Sequence, residues 1–466
     1  MTINGISMQR IMGFWRCWGL VIGIVIGNGI FMLPAVLAPY GTLSLIAWVI
    51  AGVGTIFIAL VLGMLAKRHS MQGGIYSYTR ETQGDLAGFL IGWGYWISIL
   101  AAVAAGAVAV AGYLTFFMPS ISSNSMASAI IAITFIWLIT AINITGIKVA
   151  CTFQLVTSLL KLLPLFVISV GALFLGDPAN AVIDLALTDT VNQPSTLFLI
   201  SEMVMITMWA YIGIEAVTLP SDNIISPEKN IPRALIVGTL TATVIYISLS
   251  YGVMTLIPLA DLAKSTAPLA DAATIILGPL GAGFIAIAAL ISIISSINAN
   301  TLIVGIMPDA LAKDKLMPKF FSTKNKAGIP IKTVILSGFL SSILVVMSFS
   351  EGLLSAFKTL MMLSTLTVLL PYATSSLAEI IMQKRELNAT TKINWVSLSI
   401  ALIALLFSIF AIVGSGLMLA FQGLILFAAG LPFYFWAKLN RYSPLPILFH
   451  QFWYFLCCFC LTTRIQ

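Results

Sequence analysis

The chain has 466 residues, of which 60% are hydrophobic and only 8% charged, with a net charge of +7 and a mean hydropathy of +1.06. A water-soluble domain with a solvated polar surface does not reach such values, so the sequence is that of an all-α polytopic membrane protein. The basic excess follows from charge bias between loops and gives no reason to invoke nucleic acid.

In chain order, apolar runs long enough to cross a hydrocarbon core of roughly 30 Å are predicted at 15–38, 43–66, 87–117, 125–144, 150–175, 198–221, 234–257, 276–307, 332–349, 353–382, 394–413 and 416–438. These twelve transmembrane helices form one domain over 15–438, between an N-terminal segment 1–14 and a tail 439–466. Lys and Arg test the count, because they gather in cytoplasmic loops. Arg10, Lys67, Arg68, Arg80, Lys148, Lys229, Arg233, the group Lys313 to Lys332, Lys384, Arg385, Lys392, Lys438 and Arg441 all fall on one side. The opposite loops carry Asp177, Asp184, Asp189 and Asp261, with Lys264 as the clear basic exception. Both termini are therefore predicted to be cytoplasmic, in a bacterial inner membrane. The first apolar run has no cleavage pattern and reads as a span that stays. Cys17, Cys151, Cys457, Cys458 and Cys460 have no metal-ligand spacing, and neither metal, disulfide nor cofactor is expected. The apolar tail from Tyr442 to Gln466 is short for a further span and reads as interfacial or disordered.

The first span contains GIVIGNGIFMLP, Gly23 to Pro34, in which poor helix formers crowd mid-membrane. Small residues at this spacing suit close helix packing. They also suit a break, because non-helical backbone at membrane depth survives where it is buried in protein or lines a polar cavity. Span 6 carries a matching interruption, TMWAYIGIEAVTLP, with Gly213, Glu215 and Pro220. Two interrupted spans five apart fit an inverted repeat of about 15–175 and 198–382, each half opening on a discontinuous helix. At such breaks one half-helix presents free N–H groups and the other free carbonyls. The pair suits an α-amino acid, which carries a carboxylate and an ammonium on one carbon.

Charges within the spans are functional candidates. Glu215 lies about 17 residues into span 6; the rival reading puts it in cytoplasmic water beside Asp222 and Glu228. Lys161 lies roughly 20 Å up span 5 from Lys148, where an amine exchanges a proton, acts as a fixed cation, or pairs with backbone carbonyls. Glu202, Lys358 and Glu379 lie close enough to span ends to snorkel. His69 and His450 fall in a loop and the tail, so no histidine relay is visible. Trp209, four residues before Gly213, shares a face with the break, and Tyr95 lies midway through span 3.

Four stretches carry a family resemblance: GNGIFMLP in span 1, QGGIYSYTRETQGDLAGF after span 2, MWAYIGIEAVTLPSDNIISPEKNIPRA across span 6 and IPLADLAKSTAP after span 7. They resemble the amino acid–polyamine–organocation transporters, and within them the basic amino acid and polyamine antiporters, which include arginine/agmatine and putrescine/ornithine exchangers. The likeness runs from about Phe14 to Arg441. It implies a five-plus-five inverted repeat of the LeuT type with two additional helices, and alternating access. It also implies that Val25, Gly27, Asn28 and Gly29, with Trp209, Ala210 and Ile212, hold the carboxylate and amino groups of an amino acid or amine. Trp209 would be an aromatic gate, Tyr95 a second gate residue and Glu215 a proton-sensitive group.

The chain departs from arginine/agmatine exchangers at Val103 and Asn300, where those carry asparagine and tryptophan, while Ser364 matches a serine lining the cavity. Lys161 followed by LLPL resembles the span 5 lysine of proton-coupled permeases, so exchange and proton symport both stay open. A membrane enzyme would need clustered catalytic polar residues, and a channel a symmetric pore. A substrate-sensing transceptor of the same fold would have the same site, and a homodimer is compatible with the sequence.

Overall fold

A computed structural model describes residues 13–27, 29–68, 75–121, 124–145, 162–182, 195–215, 224–325, 329–349, 352–390 and 394–442. Asn28, Lys161, His69, Asp222 and the tail beyond Tyr442 lie outside the described residues. The helices are α1 (Phe14–Val25), α2 (Gly29–Leu37), α3 (Leu43–Arg68), α4 (Ile75–Gln83), α5 (Asp85–Leu114), α6 (Ser125–Thr145), α7 (Leu162–Leu175), α8 (Thr196–Met208), α9 (Pro227–Leu256), α10 (Leu259–Leu262), α11 (Pro268–Ile303), α12 (Ile306–Lys313), α13 (Ile331–Ser348), α14 (Leu353–Thr390), α15 (Trp395–Val413), α16 (Gly416–Ala428) and α17 (Leu431–Tyr442). Among the described residues, nine helical stretches are long and apolar enough to cross a membrane. Three shorter apolar stretches join them, at Gly29–Tyr40, Pro164–Leu175 and Thr196–Tyr211.

Several helices outlast the hydrocarbon that defines them in the sequence. The span predicted from 234 begins at Pro227, where a proline in the first turn sacrifices no hydrogen bond. Helix α11 is two helical pieces that meet at a kink at Gly278 (φ +70°), close to the predicted span start at 276, and the span predicted to end at 382 runs to Thr390. The amphipathic helix α4, in the loop between the second and third spans, has no counterpart among the predicted apolar runs.

Helix α5 forms the centre. Its run AAVAAGAVAVAG, 101–112, is buried throughout, and such small side chains let neighbouring backbones approach closely where hydrophobicity supplies no drive between helices in lipid. It packs against α6, α11, α13 and α14. On another side α3 packs against α8, α9 and α15, and α1 against α9. Leu417, Met418, Phe421 and Leu424 of α16 point outward, as a lipid-facing helix requires.

The end of the bundle rich in basic residues is clasped by polar contacts. Arg80, on α4, binds Asp85 at 2.8 Å and Asp314 at 2.8 Å, and the Tyr76 hydroxyl also donates to Asp314. Gln83 donates to the Thr374 carbonyl at 3.1 Å, joining α4 to α14. Glu379 does not snorkel. It is fully buried, accepts from Arg68 at 3.0 Å and from Gln383 at 2.9 Å, and so ties α3 to α14. Glu379 therefore turns inward to the Arg68 guanidinium at the end of α3 instead of reaching out to the membrane rim.

Removing the guanidinium leaves a buried carboxylate without its cation, which costs on the order of 3 kcal/mol. Arg68→Ala is expected to lower the thermal unfolding temperature in detergent markedly. Arg68→Ala with Glu379→Gln is expected to lose less than the two single changes together, as a double-mutant cycle measures.

Candidate functional site

Span 1 breaks between α1 and α2. Ile26 still donates to the Ile22 carbonyl at 3.0 Å, but its ψ of 84° turns the chain out of the helix, which resumes at Gly29. The second break follows α8. One tight turn, Trp209–Tyr211, leads to Ile212 in extended geometry (φ −62°, ψ 137°) and then to Gly213 at φ +103°. A side chain at that φ is strained, so glycine is what allows the chain to leave the helical path here.

The two breaks meet. A Cβ built on Gly29 would stand 2.9 Å from Cε3 of Trp209 and 3.7 Å from Cα of Ala210. The missing side chain makes room for the indole. Trp209 is 5% exposed, and its ring lies edge-on to Phe357 of α14 at 5.3 Å and 76°. The Tyr246 hydroxyl, from α9, lies 2.8 Å from the Val25 carbonyl oxygen and 3.0 Å from that of Ala210. It serves one carbonyl from each break. Trp48 and Tyr211 flank its ring, with centroids 4.9 and 5.4 Å away.

Glu215 lies just beyond the second break and is 5% exposed. One carboxylate oxygen accepts from Tyr95 of α5 at 2.8 Å; the other accepts from Tyr372 of α14 at 2.6 Å and from the Gly213 N–H at 3.1 Å. These donors compensate the water lost on burial. The cytoplasmic-water reading of Glu215 is thereby replaced by a contact joining three spans.

The remaining predicted residues are dispersed. Ser364 is buried and donates to the Ser98 carbonyl at 2.9 Å, so its proton is engaged between α5 and α14. Asn300 donates to Ser296 of its own helix at 3.0 Å. Val103 lines a small cavity with Thr140, Thr301 and Ser337, between α5, α6, α11 and α13. Among the described residues, none of these three hydrogen-bonds to either break. Glu202 and Lys358, predicted to snorkel separately, pair with each other at 3.0 Å and join α8 to α14.

Tyr246, Tyr372 and Phe357 were not among the sequence candidates. A mid-span phenol needs a polar partner in hydrocarbon, which is the signal that VIYISLS and LLPYATSS carry for the two tyrosines. Phe357 carries no such signal.

The sequence pattern of the amino acid permease family matches residues 12–423. The chain belongs to the amino acid permease family, within the amino acid–polyamine–organocation superfamily. This permease is a multi-pass membrane protein of a transporter family and not an enzyme. It is 30% identical over 451 residues to an arginine/agmatine antiporter of Chlamydia felis, covering 93% of this chain and 91% of that protein. It is 29% identical over 364 residues to an arginine/ornithine antiporter of Pseudomonas aeruginosa, covering 76% and 75%. It is 27% identical over 423 residues to the putrescine transporter PotE of Escherichia coli, covering 90% and 93%.

In this permease, deleting either phenol removes one donor to a buried carboxylate. Tyr372→Phe and Tyr95→Phe are each expected to cost about 1.5–3 kcal/mol in detergent. The double variant is expected to depart from the sum by measurable coupling, because both hydroxyls serve one acid. Additive losses in thermal unfolding would contradict a shared contact.

Proposed function

We propose that this permease is a secondary active transporter of amino acids or amines, working by alternating access around the two helix breaks. The observation that carries the reading is the contact of Gly29 with Trp209 and Ala210, which brings two interrupted backbones to one place inside the bundle. In this reading the N-terminus of α2, at Gly29 with Gly27 and Asn28, receives a carboxylate. The carbonyls of Val25, Trp209, Ala210 and Ile212 receive the ammonium. The architecture we propose is twelve spans, as a five-plus-five inverted repeat over about 15–175 and 198–382 with two additional helices. It sits in a bacterial inner membrane with both termini cytoplasmic.

Trp209 acts as the aromatic gate over substrate. Tyr95, Tyr372 and Glu215 close the path toward the basic end. A proton on Glu215 turns one accepting oxygen into a donor and weakens one of the contacts that hold the spans together. That is a direct route from proton binding to opening.

The names of the antiporter relatives favour exchange. The Lys161-LLPL motif favours proton symport, with Lys161 as the coupling group. Val103 and Asn300 argue against arginine or agmatine as the substrate, and Ser364 with Tyr95 shapes the choice of side chain.

A proteoliposome screen of amino acids and their decarboxylated amines, with and without a pH gradient, tests the reading. Saturable uptake stimulated by internal substrate supports exchange. Uptake driven by the gradient alone supports symport, and no uptake of any amino acid or amine overturns both. Trp209→Leu is expected to cut uptake about tenfold with unchanged elution from size exclusion; near-normal uptake removes it from the gate. The pH dependence is expected to flatten in Glu215→Gln for a Glu215-coupled carrier, or in Lys161→Ala for a Lys161-coupled one. Unaltered profiles in both exclude both groups as the coupling site.

A further inference from the structure

Each break frees backbone carbonyls that hydrocarbon cannot satisfy. Val25 belongs to the first break and Ala210 to the second, 185 residues further along the chain, yet both carbonyl oxygens converge on one atom, the Tyr246 hydroxyl, at 2.8 and 3.0 Å. A phenol has one hydrogen to donate, so the two oxygens share it. Tyr246 is fully buried on the long helix α9, which packs against α1, α2, α3 and α11. Its ring is set between Trp48 of α3 and Tyr211 of the second break. The hydroxyl is therefore aimed by packing, and the two unwound segments are referenced to a helix outside either of them.

We propose that Tyr246 is a positioning residue that holds the two breaks in register, fixing the spacing of the Val25 and Ala210 carbonyls. The inference rests on the reading of those carbonyls as the seat of the substrate's amino group. A carbonyl oxygen accepts two hydrogen bonds, so the phenol occupies one side of each and leaves the other for an ammonium. Without the hydroxyl, the ring packing stays while the two half-seats separate. An ammonium then meets carbonyls that have to be brought together at its own cost.

The test is Tyr246→Phe, with Tyr211→Phe as control. The Tyr211 hydroxyl is buried in the same aromatic cluster but bonds Thr243 at 2.8 Å rather than the Val25 or Ala210 carbonyl. Hydrogen exchange of substrate-free protein in detergent is read over residues 26–30 and 210–215. Tyr246→Phe is expected to speed exchange in both segments by about five- to tenfold, the loss of one buried hydrogen bond, while Tyr211→Phe does not speed residues 26–30. Calorimetric titration with the amino acid that the wild type takes up is expected to show Kd raised by a similar factor, with no more than the fall in unfolding temperature that one lost buried hydrogen bond accounts for. Exchange that is unchanged, or faster in one segment only, overturns the tether. A lower unfolding temperature with an unchanged Kd makes Tyr246 structural and also overturns the proposal. If the wild type binds no amino acid or amine while both segments still respond, the transport reading fails and the tether stands.

Discussion

Everything in this permease depends on one constraint: a backbone group freed inside hydrocarbon must find its partner within the protein. Ordinary spans meet it by staying helical. The chain abandons the helix at Ile26 and again at Ile212, and at both places the freed groups are met by neighbours rather than by lipid. Tyr246 serves a carbonyl from each break, and Glu215 accepts the Gly213 N–H. What is left over is an arrangement of backbone donors and acceptors, which in the proposed function receives an amino acid's invariant head without a charged side chain.

The surrounding bundle explains why such breaks persist. Small residues over 101–112 let α5 approach its neighbours closely. Helix α14 contributes five contacts along its length: Phe357 against Trp209, Lys358 on Glu202, Ser364 on Ser98, Tyr372 on Glu215 and Glu379 on Arg68. A shift of this one helix changes the surroundings of both breaks and of both ends of the bundle.

Much of this was legible in the sequence, for identifiable reasons. Glycines at 27, 29 and 213 have no advantage inside a membrane helix, so their presence pointed to breaks, and Glu215 stood out because a carboxylate in hydrocarbon is costly. The partners were not legible. Tyr372 and Tyr246 lie 157 and 36 residues from the groups they serve, Glu215 and Ala210, and spacing along one chain carries no information about such pairings. Glu379 was misplaced because hydropathy gives a residue's depth but not its partner: Arg68, far away along the chain, meets it inside the bundle. Val103, Asn300 and Ser364 came from resemblance. Resemblance aligns positions, but the hydrogen bonds of Asn300 and Ser364 are set by local packing.

A structure determined with a bound amino acid tests the central claim most directly. The carboxylate is expected against the N-terminus of α2 at Gly29, with the ammonium against the carbonyls of Val25 and of the turn from Trp209 to Ile212, and Trp209 covering the ligand. An amino acid bound away from both breaks, with Gly29 still packed on Trp209, would contradict the account.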